Sequence, residues 1–375
     1  MTHRALIKKL FILACIGFAT QSEALVVLQQ ITVPFGAEYD SNTNLSADNE
    51  ESIWRYTSTP TYTISAVEDQ NKWFSSLGLR LQRSSNKKIS VDREDPILTV
   101  GWERELERGS FKLFGNYEKN SIRAVELKRT GLVDTDGDET TKSISAEWLR
   151  LLTERLSFTL GGKILKTRYS VGDNVDYTNY GLDSTLGYKL NEKVNTFAKV
   201  NYLKYKPDAN FDDINSQNYI GGLNVDVSPR LSLLAGAGWS HLSTYGNTFI
   251  ANTDFKYTFD KHMLNGNLER FVDAGNGYNQ RSERFALTYL YQLNDKSKIS
   301  SNFSYQKNSF LAASQTLGIL GGNKIMNLSG IYTRDLSERW TMNLTAGLIR
   351  QKEEKQDSAN AEIAGIAFIY NTPQF

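Results

Sequence analysis

Cysteine is almost missing from this chain: one in 375 residues, Cys15, and it sits in the leading segment. Disulfides therefore hold nothing together beyond that segment, even in an oxidising compartment. Histidine is nearly as scarce, with three copies. No zinc-ligand spacing, P-loop, nucleophile elbow or dinucleotide fingerprint occurs, so neither a catalytic residue nor a cofactor is assigned. The formal charge is only +1, which removes the basic excess that a nucleic-acid partner requires. Six prolines are scattered, and no proline- or glycine-rich linker divides the chain. After residue 24 there is no apolar run of helix length, which excludes a helical membrane span.

Aromatics, by contrast, are plentiful: 19 Tyr, 18 Phe and 6 Trp. The first 24 residues have the layout of a cleaved secretory signal. Arg4, Lys8 and Lys9 form its basic start, residues 10–19 its apolar stretch, and Ser22-Glu23-Ala24 its small-residue cleavage site. Loss of Arg4, Lys8, Lys9 and Glu23 would take the net charge from +1 to −1. A lipoprotein cut before Cys15, at Ile12-Leu13-Ala14-Cys15, is the competing reading. Residues 25–375 form one domain, because a single rhythm runs through them unbroken.

That rhythm is clearest in Arg334-Asp335-Leu336-Ser337-Glu338-Arg339-Trp340, a strand end, a polar turn and a returning strand. After it, Trp340, Met342, Leu344, Ala346 and Leu348 alternate with Thr341, Asn343, Thr345 and Gly347, the period of a strand with one apolar face. Leu152-Thr153-Glu154-Arg155-Leu156 and Val227-Ser228-Pro229-Arg230-Leu231 repeat the turn, and Leu190-Asn191-Glu192-Lys193-Val194 is a looser copy. Copies arrive every 33 to 46 residues or so, the length of two strands and one long loop. Short turns at one end and long polar connections at the other describe an up-and-down antiparallel meander.

The expectation is an all-β transmembrane barrel of about 18 strands, or 16 if the first two form a periplasmic extension. Strands are expected at 31–40, 53–67 (with Pro60 opening or bulging the ladder), 73–82, 97–106 and 110–119. Later ones are expected near 142–152, 156–169, 177–190, 194–206, 217–228, 230–241, 247–259, 263–272, 281–293, 297–308, 315–334, 339–350 and 360–370. Connection 121–140 is the only one long enough to fold inward, with 84–95 the next longest.

Energetics choose the face that meets lipid. A charged side chain costs about 2–4 kcal/mol at mid-bilayer, so the leucine-bearing faces point out and their alternates point in. The inward set is Arg80, Glu103, Lys112, Glu118, Glu147, Lys163, Asp183, Lys199, Asp254, Lys256, Glu269 and Arg284, with Glu362 placed beside them. A barrel of 16–18 strands is too wide for side chains to fill, so these residues line water. Trp73, Trp102, Trp148 and Trp340 fall near the short turns, and Trp54 and Trp239 near the long loops, as two interfacial belts demand.

Two other motifs carry possible chemistry. His241, in Ser240-His241-Leu242-Ser243, would serve a surface hydrolase, while His262 replaces the basic residue of a turn. Asp134-Thr135-Asp136-Gly137-Asp138-Glu139 concentrates oxygen ligands, but its glycine is at the fourth position and not the sixth of a calcium loop.

The chain resembles the porin-like outer-membrane barrels of Gram-negative bacteria, including the type encoded beside exopolysaccharide clusters. The resemblance rests on the repeated turns, on Ala37-Glu38-Tyr39-Asp40-Ser41-Asn42 and on the terminal Phe375. Pro373 and Asn371 interrupt the terminal alternation, which Tyr370, Phe368 and Ile366 resume. It implies Sec-type export, outer-membrane lipids as surroundings and recognition of Phe375 by the barrel assembly machinery. It also implies a channel but assigns no substrate and no catalytic residue; the wet interior adds the expectation of passive passage of small hydrophilic solutes, with saccharides as one candidate. An exopolysaccharide-export barrel with periplasmic partners is the alternative, and a hydrolase using His241 the second.

Overall fold

Turn chemistry sets the spacing of the whole chain. In the three turns at 152–156, 190–194 and 336–340, the second residue offers a side-chain oxygen to the amide of the fifth. Leu156 N donates to Thr153 Oγ1 (2.9 Å), Val194 N to Asn191 Oδ1 (3.0 Å) and Trp340 N to Ser337 Oγ (3.2 Å). In return, the amides of Thr153, Asn191 and Ser337 donate to the carbonyls of Leu156, Val194 and Trp340. Ser, Thr and Asn suit this position because a short side chain can fold back on its own turn. Asp69 and Asp260 make tighter reversals at φ 47° and 45°, a conformation that Asp tolerates.

The computed structural model describes residues 25–129, 137–171, 174–208, 212–243, 245–275, 278–310, 322–353 and 357–374. The expected signal at 1–24, Cys15 and Phe375 lie outside the described residues, as do 134–136, the first half of the acidic run 134–139. The elements begin with β1 (Val26–Asp40), β2 (Ile53–Ser58), β3 (Thr61–Glu68), β4 (Asn71–Ser84), β5 (Arg93–Leu106) and β6 (Gly109–Ser121). Helix α1 (Ile122–Arg129) precedes β7 (Asp138–Leu151), β8 (Leu156–Tyr169), β9 (Tyr177–Lys189) and β10 (Val194–Pro207). Next come β11 (Ile214–Ser228), β12 (Leu231–Leu242), β13 (Gly246–Phe259), β14 (His262–Gly275) and β15 (Tyr278–Asn294). The chain ends with β16 (Ser297–Phe310), β17 (Asn323–Asp335), β18 (Trp340–Glu353) and β19 (Ala359–Asn371).

Apart from β2 and β3, which do not pair with each other, each strand pairs antiparallel with its sequence neighbours, and β1 pairs with β19 to close the ring. Strands β2 and β3 are one stave: both pair with β1 and with β4, on an unchanged register. The ladder opens only at Thr59 and Pro60, and Thr59 N still donates to Pro34 O and Leu79 N to Pro60 O. Of the two outcomes expected at Pro60, the structure has the open ladder without a bulge. The barrel therefore has 18 staves, and the 16-strand alternative falls because β1 and β2–β3 are built into the wall.

Several expectations are corrected. Strands reach further toward the long loops than periodicity suggested: β5 starts at Arg93, not 97, and β16 ends at Phe310. The first strand starts at Val26, and β17 at Asn323, with 315–321 outside the described residues. Connection 121–140 holds a helix where none was expected. Glu362 stands opposite the outward Leu348 and is exposed, so it belongs to the outer wall. A two-residue difference in where the polar belt starts accounts for this, since outward positions turn charged near the loop ends.

Candidate channel lining

Which face is concave can be read from reach. Arg80 on β4 bonds Glu118 on β6 at 3.2 Å and also engages Asn120, so it spans β5. Side chains converge across an intervening strand only inside a curved wall. Register carries this assignment round the ring. Arg80 faces Asp95, Glu103 faces Lys112, Lys112 faces Glu147, and Lys163 faces Ser145. Asp183 follows through Gly161, Lys199 through Thr185, Asp254 and Lys256 through Asn267 and Asn265, and Glu269 faces Arg284. All twelve expected lining residues share the inner face.

The opposite face is apolar and exposed. Ile144, Leu182, Leu268 and Leu348 are each more than half accessible on the outer wall. Trp73 stacks on Trp102 (5.3 Å) and Trp340 packs against Tyr370 (5.1 Å) near the short turns, while Trp54 lies against Tyr39 (5.4 Å) at the loop end. His262 joins the first group, stacked on Tyr291 at 4.7 Å. Two bands of rings thus bracket the aliphatic zone.

Within the bore the charges form ordered rows. Lys72, Glu103, Lys112 and Glu147 stand side by side on β4 to β7, alternating in sign, with Lys72 4.0 Å from Glu103. Higher up, Arg284 lies 3.9 Å from Glu269, donates to Gln306 Oε1 at 3.0 and 3.1 Å, and covers the Phe271 ring. Lys163, Lys199 and Lys256 have no carboxylate within ion-pair reach among the described residues. Farther round, the wall turns from charge to amide and hydroxyl. Asn302, Ser304, Asn327, Ser329, Asn343 and Thr345 occupy the inner positions of β16 to β18.

The outer end of the bore is covered rather than open. Inner-face residues at the loop ends of many strands are buried, including Asp40, Thr167, Ser240, Ser282, Asn308 and Gln351. An open bore would leave them wet, so loops fold onto them. Segment 85–92 is one cover, with Ile89 and Ser90 buried, and α1 is another. Arg123 of α1 donates to Ile89 O (2.8 Å), and Leu127 packs on Leu45, Ala359 and Ala361. Since α1 leaves β6 and touches β19, it crosses the mouth. Arg93 and Asp95, with side chains 3% and 1% exposed, pair at 2.7 Å, and Arg93 reaches Asp138 at 2.8 Å. Asp138 also holds Lys119 at 2.6 Å. Arg55 bonds Glu38 at 3.1 Å and Asp40. Inner parity extended four residues before Ile97 reaches Arg93 and Asp95, which the sequence places in the connection 84–95.

His241 lies on the outer wall, opposite Gln217 and Asn247, with Nδ1 2.7 Å from Asn247 Oδ1. It faces away from every lining residue. Of the acidic run, Asp138 serves Arg93 and Lys119, and Glu139 is buried and accepts from Thr141.

No family model and no curated protein matches the chain. Solved structures do. Pseudomonas aeruginosa OpdQ superposes with a TM-score of 0.53 at 10% identity, covering 92% of this chain and 98% of that one. The Pseudomonas aeruginosa outer membrane protein opdK gives 0.54 at 8% identity, over 92% and 99%. Acinetobacter baumannii OccAB3 gives 0.51 at 9% identity, over 92% and 99%. The fold is that of a porin-like outer-membrane barrel. The siderophore receptor PirA of Pseudomonas aeruginosa is also similar, at 0.50 and 8% identity, over 94% of this chain and 82% of that one. At such identities the likeness is one of architecture, and the lining of this barrel is its own.

Proposed function

We propose that the protein is an outer-membrane channel through which small hydrophilic solutes diffuse, and that uncharged polyhydroxylated solutes, saccharides among them, are its natural traffic. The observation that carries the reading is the division of the wall: charged and amide side chains inside, leucines and aromatic belts outside. An 18-stave ring is wide enough to leave water at its centre. The amide and hydroxyl wall of β16 to β18 favours neutral solutes, because such groups trade hydrogen bonds with hydroxyls without demanding a counter-charge. Elsewhere in the wall, the alternating Lys72, Glu103, Lys112 and Glu147 row carries no net charge to select one ion sign.

Swelling of proteoliposomes tests this. Vesicles holding the purified protein should swell in neutral mono- and disaccharides faster than in charged amino acids of similar size. Equal rates for both classes would remove the saccharide preference, and no swelling in either would remove the channel.

A further inference from the structure

The outer wall carries a row of lysines that the bore does not use. Lys307, Lys324 and Lys352 stand directly opposite one another on β16, β17 and β18, in consecutive register. Their alternates Asn308, Asn323 and Gln351 are buried inward, so the lysines point outward. Like charges facing each other across strands are destabilising, and native sheets normally interleave opposite signs. Elsewhere on this rim they do: Arg270 meets Glu283 (3.8 Å), Lys204 meets Asp213 (2.8 Å) and Arg83 meets Glu94 (2.6 Å). The lysine row has no such carboxylate partner among the described residues. Glu283 is opposite Lys307 but engages Arg270, and Arg350, one step below Lys352, adds another cation.

The height of the row identifies what faces it. One outward step below Lys307 and Lys324 are Tyr305 and Met326, and below Arg350 is Leu348, 51% exposed. Apolar outer wall thus gives way to lysine at the level of the lipid headgroups, on the long-loop side. We infer that Lys307, Lys324 and Lys352, with Arg350, form a binding site for the phosphate-bearing headgroup of an anionic lipid in the leaflet at that end. A phosphate oxygen set accepts from several ammonium groups at once, which turns mutual repulsion into shared attraction. The lipid's acyl chains would lie along Met326, Leu328 and Leu348, which share that outer face. The site rests on the outer-membrane reading above, but it can fail alone, because it concerns lipid retention and not conductance.

The test compares the native protein with the Lys307→Gln, Lys324→Gln, Lys352→Gln triple variant. Both are purified in uncharged detergent and titrated with phosphatidic acid, with phosphatidylcholine and with inorganic phosphate. Native mass spectrometry reads the bound lipid, and thermal unfolding reads folding. The native protein should retain phosphatidic acid roughly a hundredfold more tightly than the variant does, given the contribution of each near-surface lysine. Phosphatidylcholine should show no such gap. Without lipid the variant should unfold at the same or a higher temperature, since its row no longer repels itself. Equal phosphatidic-acid retention by both proteins would overturn the site, and inorganic phosphate stabilising the native protein as well as the lipid does would overturn its assignment to a lipid. Should the triple variant fail to fold, Lys324→Gln alone, at the centre of the row, must still weaken retention several-fold.

Discussion

Leu344 and Thr345 are neighbours in sequence and strangers in surroundings. Leu344 lies on the outer wall, 41% exposed, beside Ile366; Thr345 faces the bore beside Ile331. Replacing Leu344 by Lys should cost about 2–4 kcal/mol, while Thr345→Lys should cost under about 1 kcal/mol, because only the first charge enters hydrocarbon. Equilibrium unfolding in urea from lipid vesicles would measure both. Titration matters at one loop residue. Hydrogen bonds from Lys87 and from the Ser84 amide hold the Asp92 carboxyl below its ordinary range. Its charged form therefore anchors segment 84–92 at neutral pH, and the anchorage is lost as pH falls through the lowered value. Protection against hydrogen exchange across 85–91, taken relative to the intrinsic rate at each pH, should fall at acid pH in the native protein, and Asp92→Asn should show the lowered protection already at neutral pH. Alternation by residue was legible because a membrane punishes each wrong placement. Glu362 was misplaced because that punishment ends at the headgroups, where outward charge is free.

Strands and turns were the most legible level. A side-chain oxygen two residues before the basic residue of each longer turn is a local device, so it repeats visibly at Thr153, Asn191 and Ser337. Less visible are the places where a ring lies over a glycine on the next strand. Phe74 covers Gly101 and Phe197 covers Gly222 on the inner face, and Phe255 covers Gly266 on the outer one. A Cβ at Gly266 would sit 2.0 Å from Phe255 Cε1. Gly266→Ala should therefore displace the ring and cost about 1–3 kcal/mol, whereas Gly330→Ala, with nothing within 4 Å, should be near neutral. Unfolding of the two variants side by side checks this. Helix α1 was not legible, since its seat is made by Leu45, Ala359 and Ala361, far away in sequence. Leu127→Glu should unseat it and raise single-channel conductance in planar bilayers without lowering the unfolding midpoint by more than the loss of one small contact.

At the scale of the whole molecule the arrangement depends on solvent, not on a core. The largest fully buried side chains, among them Tyr205, Leu242 and Glu139, sit at the loop end, and among the described residues no aliphatic centre fills the barrel. Closure through β1 and β19 leaves no unpaired sheet edge among the described strands, as hydrocarbon requires. The strand number and both faces could be read from sequence because they follow from periodicity. The covered mouth could not, because loop packing leaves no period. The central claim is that water fills the inside of this ring and lipid surrounds it. Cys15 aside, the chain has no cysteine, so single cysteines can be placed at will. Lys163 is on the inner face and Ile164, its neighbour, is 47% exposed on the outer one. In reconstituted vesicles, Lys163→Cys should react with a small membrane-impermeant maleimide, and Ile164→Cys should react only with a lipid-soluble one. Protection of both from the impermeant reagent, or the reverse pattern, would contradict a wet bore.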